Sequence, residues 1–324
     1  MKVTVIIPVY NGEKRIVRCL DSLISQTYKD IKVLLINDGS KDRSEEVIRD
    51  YIAKKELTNV ELISHSNRGV SLTRNRGIEL ANSEYVAFID QDDYVFADYF
   101  ERFVEAAEKN HADIVCGGYQ RVSEAGKVLR VVKLVNHPWA KFVVVAPWAH
   151  IYRTSFLKEH NIGFLKTGIG EDVYFSLMAY SYTDRIVTVD YCGYCWVNNV
   201  ESVSNSKQKT VNANANPFVL LDALDRDIPK DNHIPREWME YYLYRYIVWY
   251  LVFTVRDTPK EVLSKQYDKL FDWLRARYPA FYKNRNISLL GPKGEPMMIR
   301  VCVVLSTILY RLGILRPILK RIAK

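Results

Sequence analysis

Apolar residues follow two rhythms along the first third of the chain. Residues 3–9 form a nearly unbroken run rich in Val and Ile, and similar runs recur at 31–36, 60–63, 85–89 and 113–116. Short continuous runs of this kind are expected of parallel strands buried on both faces. Between them the spacing changes to that of amphipathic helices: Ile16, Leu20 and Leu23 share one face, and so do Phe100, Phe103, Val104 and Ala107. Strand and helix in alternation predict a wound α/β domain built on a parallel sheet.

In such a sheet the ligand crevice lies beyond the carboxyl ends of the strands, where loops are free to carry polar groups. The first run ends in Val9-Tyr10-Asn11-Gly12, the second in Asn37-Asp38-Gly39-Ser40, the third in Ser66-Asn67-Arg68-Gly69 and the fourth in Asp90-Gln91-Asp92-Asp93. Parallel strands direct all four clusters to one rim.

After about residue 210 the texture becomes helical, aromatic and charged, with Tyr241, Tyr242, Tyr244, Tyr246, Trp249 and Tyr250 close together. This divides the chain into a catalytic domain over 1–210, with halves at 1–117 and 118–210, and a helical region over 211–324. Asn212, Asn214 and Asn216 before Pro217 read as a polar connection, and Pro292 to Pro296 mark a second break before a basic amphipathic tail over 297–324. In that tail Val301, Val304, Leu305, Ile308 and Leu312 fall along one helical face, Arg300 and Arg311 on another, and Gly313 interrupts the helix.

Composition narrows the classes. Hydrophobic residues at 48% and charged residues at 26% are those of a folded globular chain. The net charge of +8 is concentrated in the tail, which after Glu295 carries Arg300, Arg311, Arg316, Lys320, Arg321 and Lys324 and no acid, and the nearly balanced remainder argues against a nucleic-acid partner. Two readings of the tail stay open: a contact with an anionic membrane surface, or packing on the catalytic domain or a second subunit. The Tyr-rich stretch 238–250 likewise suits either an oligomer interface or helical packing within the chain. Five cysteines without regular spacing, and no leader-like segment or long uncharged apolar run, suggest the reducing cytoplasm. Cys192 and Cys195 have zinc-like spacing but lack a second ligand pair nearby.

The chemistry centres on Asp90-Gln91-Asp92. A diphosphate approaches paired carboxylates only if a hard divalent cation bridges them, so the motif after a buried strand predicts Mn2+ or Mg2+. Asp38 suits a base imide or a ribose hydroxyl, and equally an Asp-Gly turn. The glycines fit neither a dinucleotide fingerprint nor a phosphate loop ending in Lys-Ser/Thr. Further on, Gly168-Ile169-Gly170-Glu171-Asp172 reads as a glycine loop opening a helix, and acids in a first turn are ordinarily dipole partners.

Together Ile6-Ile7-Pro8-Val9-Tyr10-Asn11, Asn37-Asp38-Gly39-Ser40, Asn67-Arg68-Gly69 with Arg74-Asn75, and Asp90-Gln91-Asp92-Asp93 resemble the family 2 glycosyltransferases with the GT-A fold. The resemblance covers roughly the first two-thirds of the chain. It implies that Pro8 and Tyr10 line the base pocket with Asn11, that Asp38 binds uracil, and that Asn67 and Gly69 lie near the nucleotide. Arg74 would steady the metal loop, Asp90 would face ribose and metal beside Gln91, and Asp92 would ligate the metal. Glu171-Asp172 looks like the family's Glu-Asp motif, which makes Asp172 the general base. Trp148, in Pro147-Trp148-Ala149-His150-Ile151-Tyr152-Arg153, is a candidate acceptor platform or a buried core residue.

The expected activity is therefore inverting transfer of a single hexose or N-acetylhexosamine from a UDP-sugar to a hydroxyl of a lipid-linked or protein-linked glycan. One departure stands out: the family often has an Arg or His shortly after the Glu-Asp motif, whereas this chain reads Tyr191-Cys192-Gly193-Tyr194-Cys195-Trp196, with Lys207 or Lys209 as substitutes or as solvated lysines. Two rivals remain. A nucleotidyltransferase would carry a Gly-rich basic loop where Tyr10-Asn11-Gly12-Glu13 stands; a non-catalytic module would keep the nucleotide pocket alone.

Overall fold

A computed structural model describes residues 1–199, 210–212 and 215–322. Its first half is the expected alternation: β1 (Val3–Val9), α1 (Ile16–Ile24), β2 (Ile31–Asp38), α2 (Ser44–Lys54), β3 (Val60–His65), α3 (Val70–Leu80), β4 (Tyr85–Phe88), β5 (Tyr94–Val95), α4 (Tyr99–Lys109) and β6 (Ile114–Cys116). Then come β7 (Tyr119–Val122), β8 (Val128–Val132), β9 (His150–Arg153), α5 (Thr154–Glu159), α6 (Glu171–Tyr182), β10 (Ile186–Thr188) and β11 (Tyr194–Val197). The fold is mixed α/β, with helices throughout the C-terminal region.

The large sheet has seven strands in the order β10-β6-β9-β4-β1-β2-β3. β1 runs parallel to β2 and to β4, and β2 runs parallel to β3, so the polar strand ends do meet at one rim. β1 is buried on both faces: Gly77 of α3 lets the Ile6 side chain approach its backbone, and Ile16, Cys19, Leu20 and Leu23 of α1 belong to the same core. β9 lies antiparallel between β4 and β6, so residues before and after 117 share one sheet.

The pattern of apolar runs did not reveal a second, four-stranded sheet of order β5-β11-β7-β8. It holds the segment after the Asp-rich loop: Asp93, 1% exposed, accepts from the Tyr194 hydroxyl at 2.7 Å and from the Val197 amide at 2.8 Å.

Towards the C-terminus, α7 (Pro217–Asp227) begins at Asn216, whose side chain accepts from the Phe218 amide at 3.1 Å; Asn214 lies outside the described residues. α8 (Arg236–Trp249), α9 (Lys260–Arg277), α10 (Met297–Arg311) and α11 (Leu315–Ile322) complete the chain. Tyr241, Tyr242, Tyr244 and Tyr250 are buried within this one chain, so the aromatic stretch serves its own core. Gly313, at φ 72°, separates α10 from α11 as its sequence position suggested.

Candidate active site

Three loops at the rim are laced together by short polar side chains. Gln91 clamps the end of β1: its Oε1 accepts from the Tyr10 amide at 3.0 Å and its Nε2 donates to the Tyr10 carbonyl at 2.9 Å. Asn11, at φ 50°, donates its amide to Ser40 Oγ at 3.0 Å and accepts from the Lys41 amide at 2.9 Å. Pro8 is half-buried one turn of strand earlier, and the Tyr10 ring is exposed on the rim.

Asp38 is 4% exposed and already has partners. Oδ1 accepts from the Arg68 amide at 2.7 Å and Oδ2 from the Gly69 amide at 2.9 Å, while Asn67 Nδ2 donates to the Asp38 carbonyl at 2.9 Å. Its carboxylate thus fixes the 67–69 loop. Gly39 makes that approach feasible: at φ 67°, an added Cβ would stand 2.7 Å from the Asn67 backbone nitrogen.

From this loop α3 projects Arg74, 4% exposed, into the centre of the rim. One guanidinium nitrogen reaches Asp172 Oδ1 at 2.8 Å and another reaches Asp90 Oδ1 at 2.7 Å, with the ring of Phe164 5.2 Å from the guanidinium carbon. The planar fork gives each carboxylate its own nitrogen in a fixed geometry. Asp90 comes from the end of β4 and Asp172 from the first turn of α6, 82 residues later in sequence numbering, so Arg74 joins elements that sequence spacing leaves unrelated.

Gly170, at φ 83°, opens α6 in a left-handed turn that a side chain would strain; an added Cβ would meet Leu220 of α7 at 2.6 Å. Glu171 and Asp172 follow in the first helical turn. Burial pushes the Asp172 carboxyl up to about 7, Glu171 and Asp90 push the same way, and Arg74 opposes them. A carboxyl poised there can both accept a proton and hold it near neutral pH.

Asp92 is half-buried, and burial followed by the nearby Asp90 raises its proton affinity. Asn199 donates to its carboxylate at 3.3 Å, Arg15 reaches Asn199 at 3.2 Å, and Arg18 donates to the Asp92 carbonyl at 2.9 Å. Arg15 just before α1, Arg18 on it and Asn199 escaped the sequence reading, since nothing in the local pattern links the start of α1 to the end of β11. Tyr194 escaped it too; its hydroxyl also accepts from the Asp90 amide at 3.3 Å. Lys207 and Lys209 lie outside the described residues.

Trp148 is 9% exposed and stacked on Tyr194, with ring centroids 4.7 Å apart, and Tyr119 meets it edge-on at 5.0 Å. One of its faces is therefore covered by the residue that holds the Asp-rich loop. Among the described residues no three His, Cys, Asp or Glu side chains gather closely enough to hold an ion by themselves. Asp90 and Asp92 nevertheless supply hard oxygen donors, and one or two carboxylates completed by substrate phosphates is the usual set for Mg2+.

Among solved structures, the chain superposes on residues 1–349 of Staphylococcus aureus TarS, determined with UDP-GlcNAc, at TM-score 0.71 and 21% identity, over 97% of this chain and 92% of that one. That likeness establishes a common fold. Among curated proteins, the uncharacterized glycosyltransferase EpsJ of Bacillus subtilis is 35% identical over 222 residues, 64% of each chain. The poly(ribitol-phosphate) beta-glucosyltransferase of Bacillus spizizenii is 32% identical over 204 residues, 60% of this chain but 32% of that protein. The matched region thus spans under two-thirds of these relatives' own length. Residues 4–204 match the family model of glycosyl transferase family 2, more than half of the chain and every rim residue described above, and the chain belongs to that family.

Proposed function

We infer that this protein is an inverting glycosyltransferase that moves a single hexose or N-acetylhexosamine from a UDP-sugar to a hydroxyl of a lipid-linked or protein-linked glycan. The observation that carries the reading is Arg74, which holds Asp90 of the β4 loop and Asp172 of α6 at 2.7 and 2.8 Å in one cleft. The UDP part is supported by the complexes of the structurally similar TarS with UDP-GlcNAc and with UDP. Residues 1–210 form the catalytic unit of this proposal and 211–324 its helical support, at the inner face of the cell membrane.

In this mechanism the base and ribose rest on the loops of Pro8, Tyr10, Asn11, Asp38, Asn67 and Gly69, with Gln91 holding Tyr10 in place. Asp172 accepts the proton of the acceptor hydroxyl as its oxygen bonds to the anomeric carbon. The bond from that carbon to the UDP oxygen breaks on the opposite face, UDP leaves with the electron pair, and the anomeric centre inverts. Arg74 keeps Asp172 from drifting to still higher proton affinity, Glu171 pushes the other way, and Trp148 with Tyr194 forms the wall behind the Asp-rich loop. Mn2+ or Mg2+ held by Asp92 and Asp90 would neutralise the charge of the diphosphate.

The test is a panel of UDP-sugars with manganese and candidate glycan acceptors, read as released UDP and glycosylated product. Acceptor-dependent release from at least one UDP-sugar is expected. Release of inorganic pyrophosphate from a nucleoside triphosphate and sugar phosphate instead would assign the protein to nucleotide-sugar synthesis.

A further inference from the structure

A helix on the outside of a protein ordinarily turns its apolar stripe inward. α10 has one apolar side turned inward and a second left outside. Val303, Ser306 and Thr307 are buried, Ile299, Leu309 and Tyr310 pack partly buried against the same core, and the Thr307 hydroxyl lies 3.1 Å from that of Tyr244 on α8. Met297, Met298, Val301, Leu305, Ile308 and Leu312 recur at the three- and four-residue steps of one helical face, and all are exposed, Leu305 by 54% and Leu312 by 64%. Leu290 beside them is 89% exposed, in a loop tied to α10 by the bond from Arg300 to the Leu289 carbonyl at 3.1 Å. Isolated exposed aliphatic residues are ordinary, but a continuous stripe marks a surface that something covers.

Charge selects the occupant. Arg300 and Arg311 are three turns apart on one flank of the stripe, and the chain carries no acid after Glu295. Apolar residues flanked by cations match hydrocarbon beneath anionic headgroups. A second copy docked through the same face about a twofold axis would bring like-charged flanks together without an acid on the segment to pair them.

The packing also sets the mode. Met297–Arg311 and Leu315–Arg321 are together long and apolar enough for a bent span, with 117° between them. Yet Tyr310 of α10 stacks on Phe271 of α9 at 5.1 Å, and α11 is pinned to α9 by Arg316 to Asp268 at 2.6 Å and Lys320 to Glu261 at 2.5 Å. One side of the pair is therefore committed to protein, which suits a helix lying in the membrane plane and not one crossing it.

We propose that the outward face of α10 seats the protein flat on an anionic lipid surface and so presents the active site to a lipid-linked acceptor. α8 connects the two: Tyr244 faces α10, while Tyr246, two residues on, points to the opposite side, its hydroxyl 3.3 Å from where a Cβ at Gly170 would lie. One helix layer separates the lipid face from the start of α6. The acceptor half of this proposal rests on the transferase reading; the docking half does not.

The test is flotation of the full chain with vesicles of mixed phosphatidylglycerol and phosphatidylcholine, and with phosphatidylcholine alone, with UDP release measured on the same samples without vesicles in the presence of the panel of UDP-sugars and water-soluble glycan acceptors. Wild type is expected to float with the anionic vesicles. The Leu305→Asp/Ile308→Asp variant should bind them roughly a hundredfold more weakly with unchanged thermal unfolding and unchanged UDP release. Arg321→Glu, at an exposed position of α11, should weaken binding roughly tenfold and serves if the double variant misfolds. Wild type left in the unbound fraction, variants that float as well as wild type, or a soluble dimer that the double variant converts to monomer would each overturn the proposal. Flotation as expected without UDP release from any sample supports docking and rejects the transferase reading instead.

Discussion

Replacing Arg74 by Gln removes the positive charge that bridges Asp90 and Asp172 while keeping polar atoms in the buried slot. The guanidinium sits 2.8 Å from Asp172, where burial has already raised the carboxyl to about 7. At roughly 4 Å between charge centres and an effective dielectric of about 20, one such pair is worth about 4 kcal/mol, and opposite charges at this range move a carboxyl by about one to three units. Losing Arg74 should therefore carry Asp172 up to between about 8 and 10.

The general base works as the carboxylate, so transfer is high above this value and is lost as pH falls through it. For wild type the acid limb of kcat/KM is expected near 7; for Arg74→Gln it moves up, and at pH 7.5 the ionised fraction drops from roughly three-quarters to roughly a quarter or less. Arg74→Lys, which keeps the charge on a single nitrogen at the end of a flexible stem in place of the planar two-nitrogen fork, should fall between them. The assay is a pH series of product formation at saturating metal. An acid limb that stays in place in Arg74→Gln would refute the coupling of Arg74 to the base. Stability follows the same linkage: the folded chain keeps a proton on Asp172 that the unfolded chain releases near 3.8, so this group's contribution is complete below that value and is lost as pH rises through about 7.

Three other outcomes follow from the rim. Asp38→Asn turns one acceptor toward a backbone donor as an NH2 group, and should lower stability by about 1–3 kcal/mol in urea unfolding; an unchanged midpoint would mean the bonds to Arg68 and Gly69 contribute little. Gly39→Ala forces a Cβ against the Asn67 backbone at a positive φ, and should destabilise by about 1–2 kcal/mol while weakening UDP binding in calorimetry; wild-type affinity would show that the 67–69 loop is not part of the nucleotide pocket. Chelation with EDTA should lower turnover by at least about a hundredfold, with recovery on adding Mn2+ or Mg2+; full activity in EDTA would remove the metal role from Asp90 and Asp92.

Much of the first half was legible because its strands are buried on both faces and leave unbroken apolar runs, as in β1 and β2. The second sheet was not: β5 has only two residues, and four of the five residues of β8 are exposed, so neither shows a period. β9 is four residues long, and its place between β4 and β6 depends on pairing with partners far away in sequence. The rim motifs were visible as loops, but their wiring was not. The bonds from the Arg68 and Gly69 amides to Asp38 belong to neither reading of that residue and cross about 30 positions of sequence, and the partners of Arg74 are 16 and 98 residues away. In the tail, periodicity identified the aliphatic stripe of α10 but could not say which way it faces, because the Tyr244 to Thr307 contact that orients the helix is a long-range one.

In the proposed mechanism, transfer depends most on Asp172 as the group that takes the acceptor proton. The direct measurement compares Asp172→Asn with wild type for UDP binding by calorimetry and for sugar transfer under the same metal and donor conditions. Nucleotide affinity within about threefold of wild type, with transfer lowered by a factor of about 100–10,000, is the expected result; transfer at the wild-type rate would contradict the account.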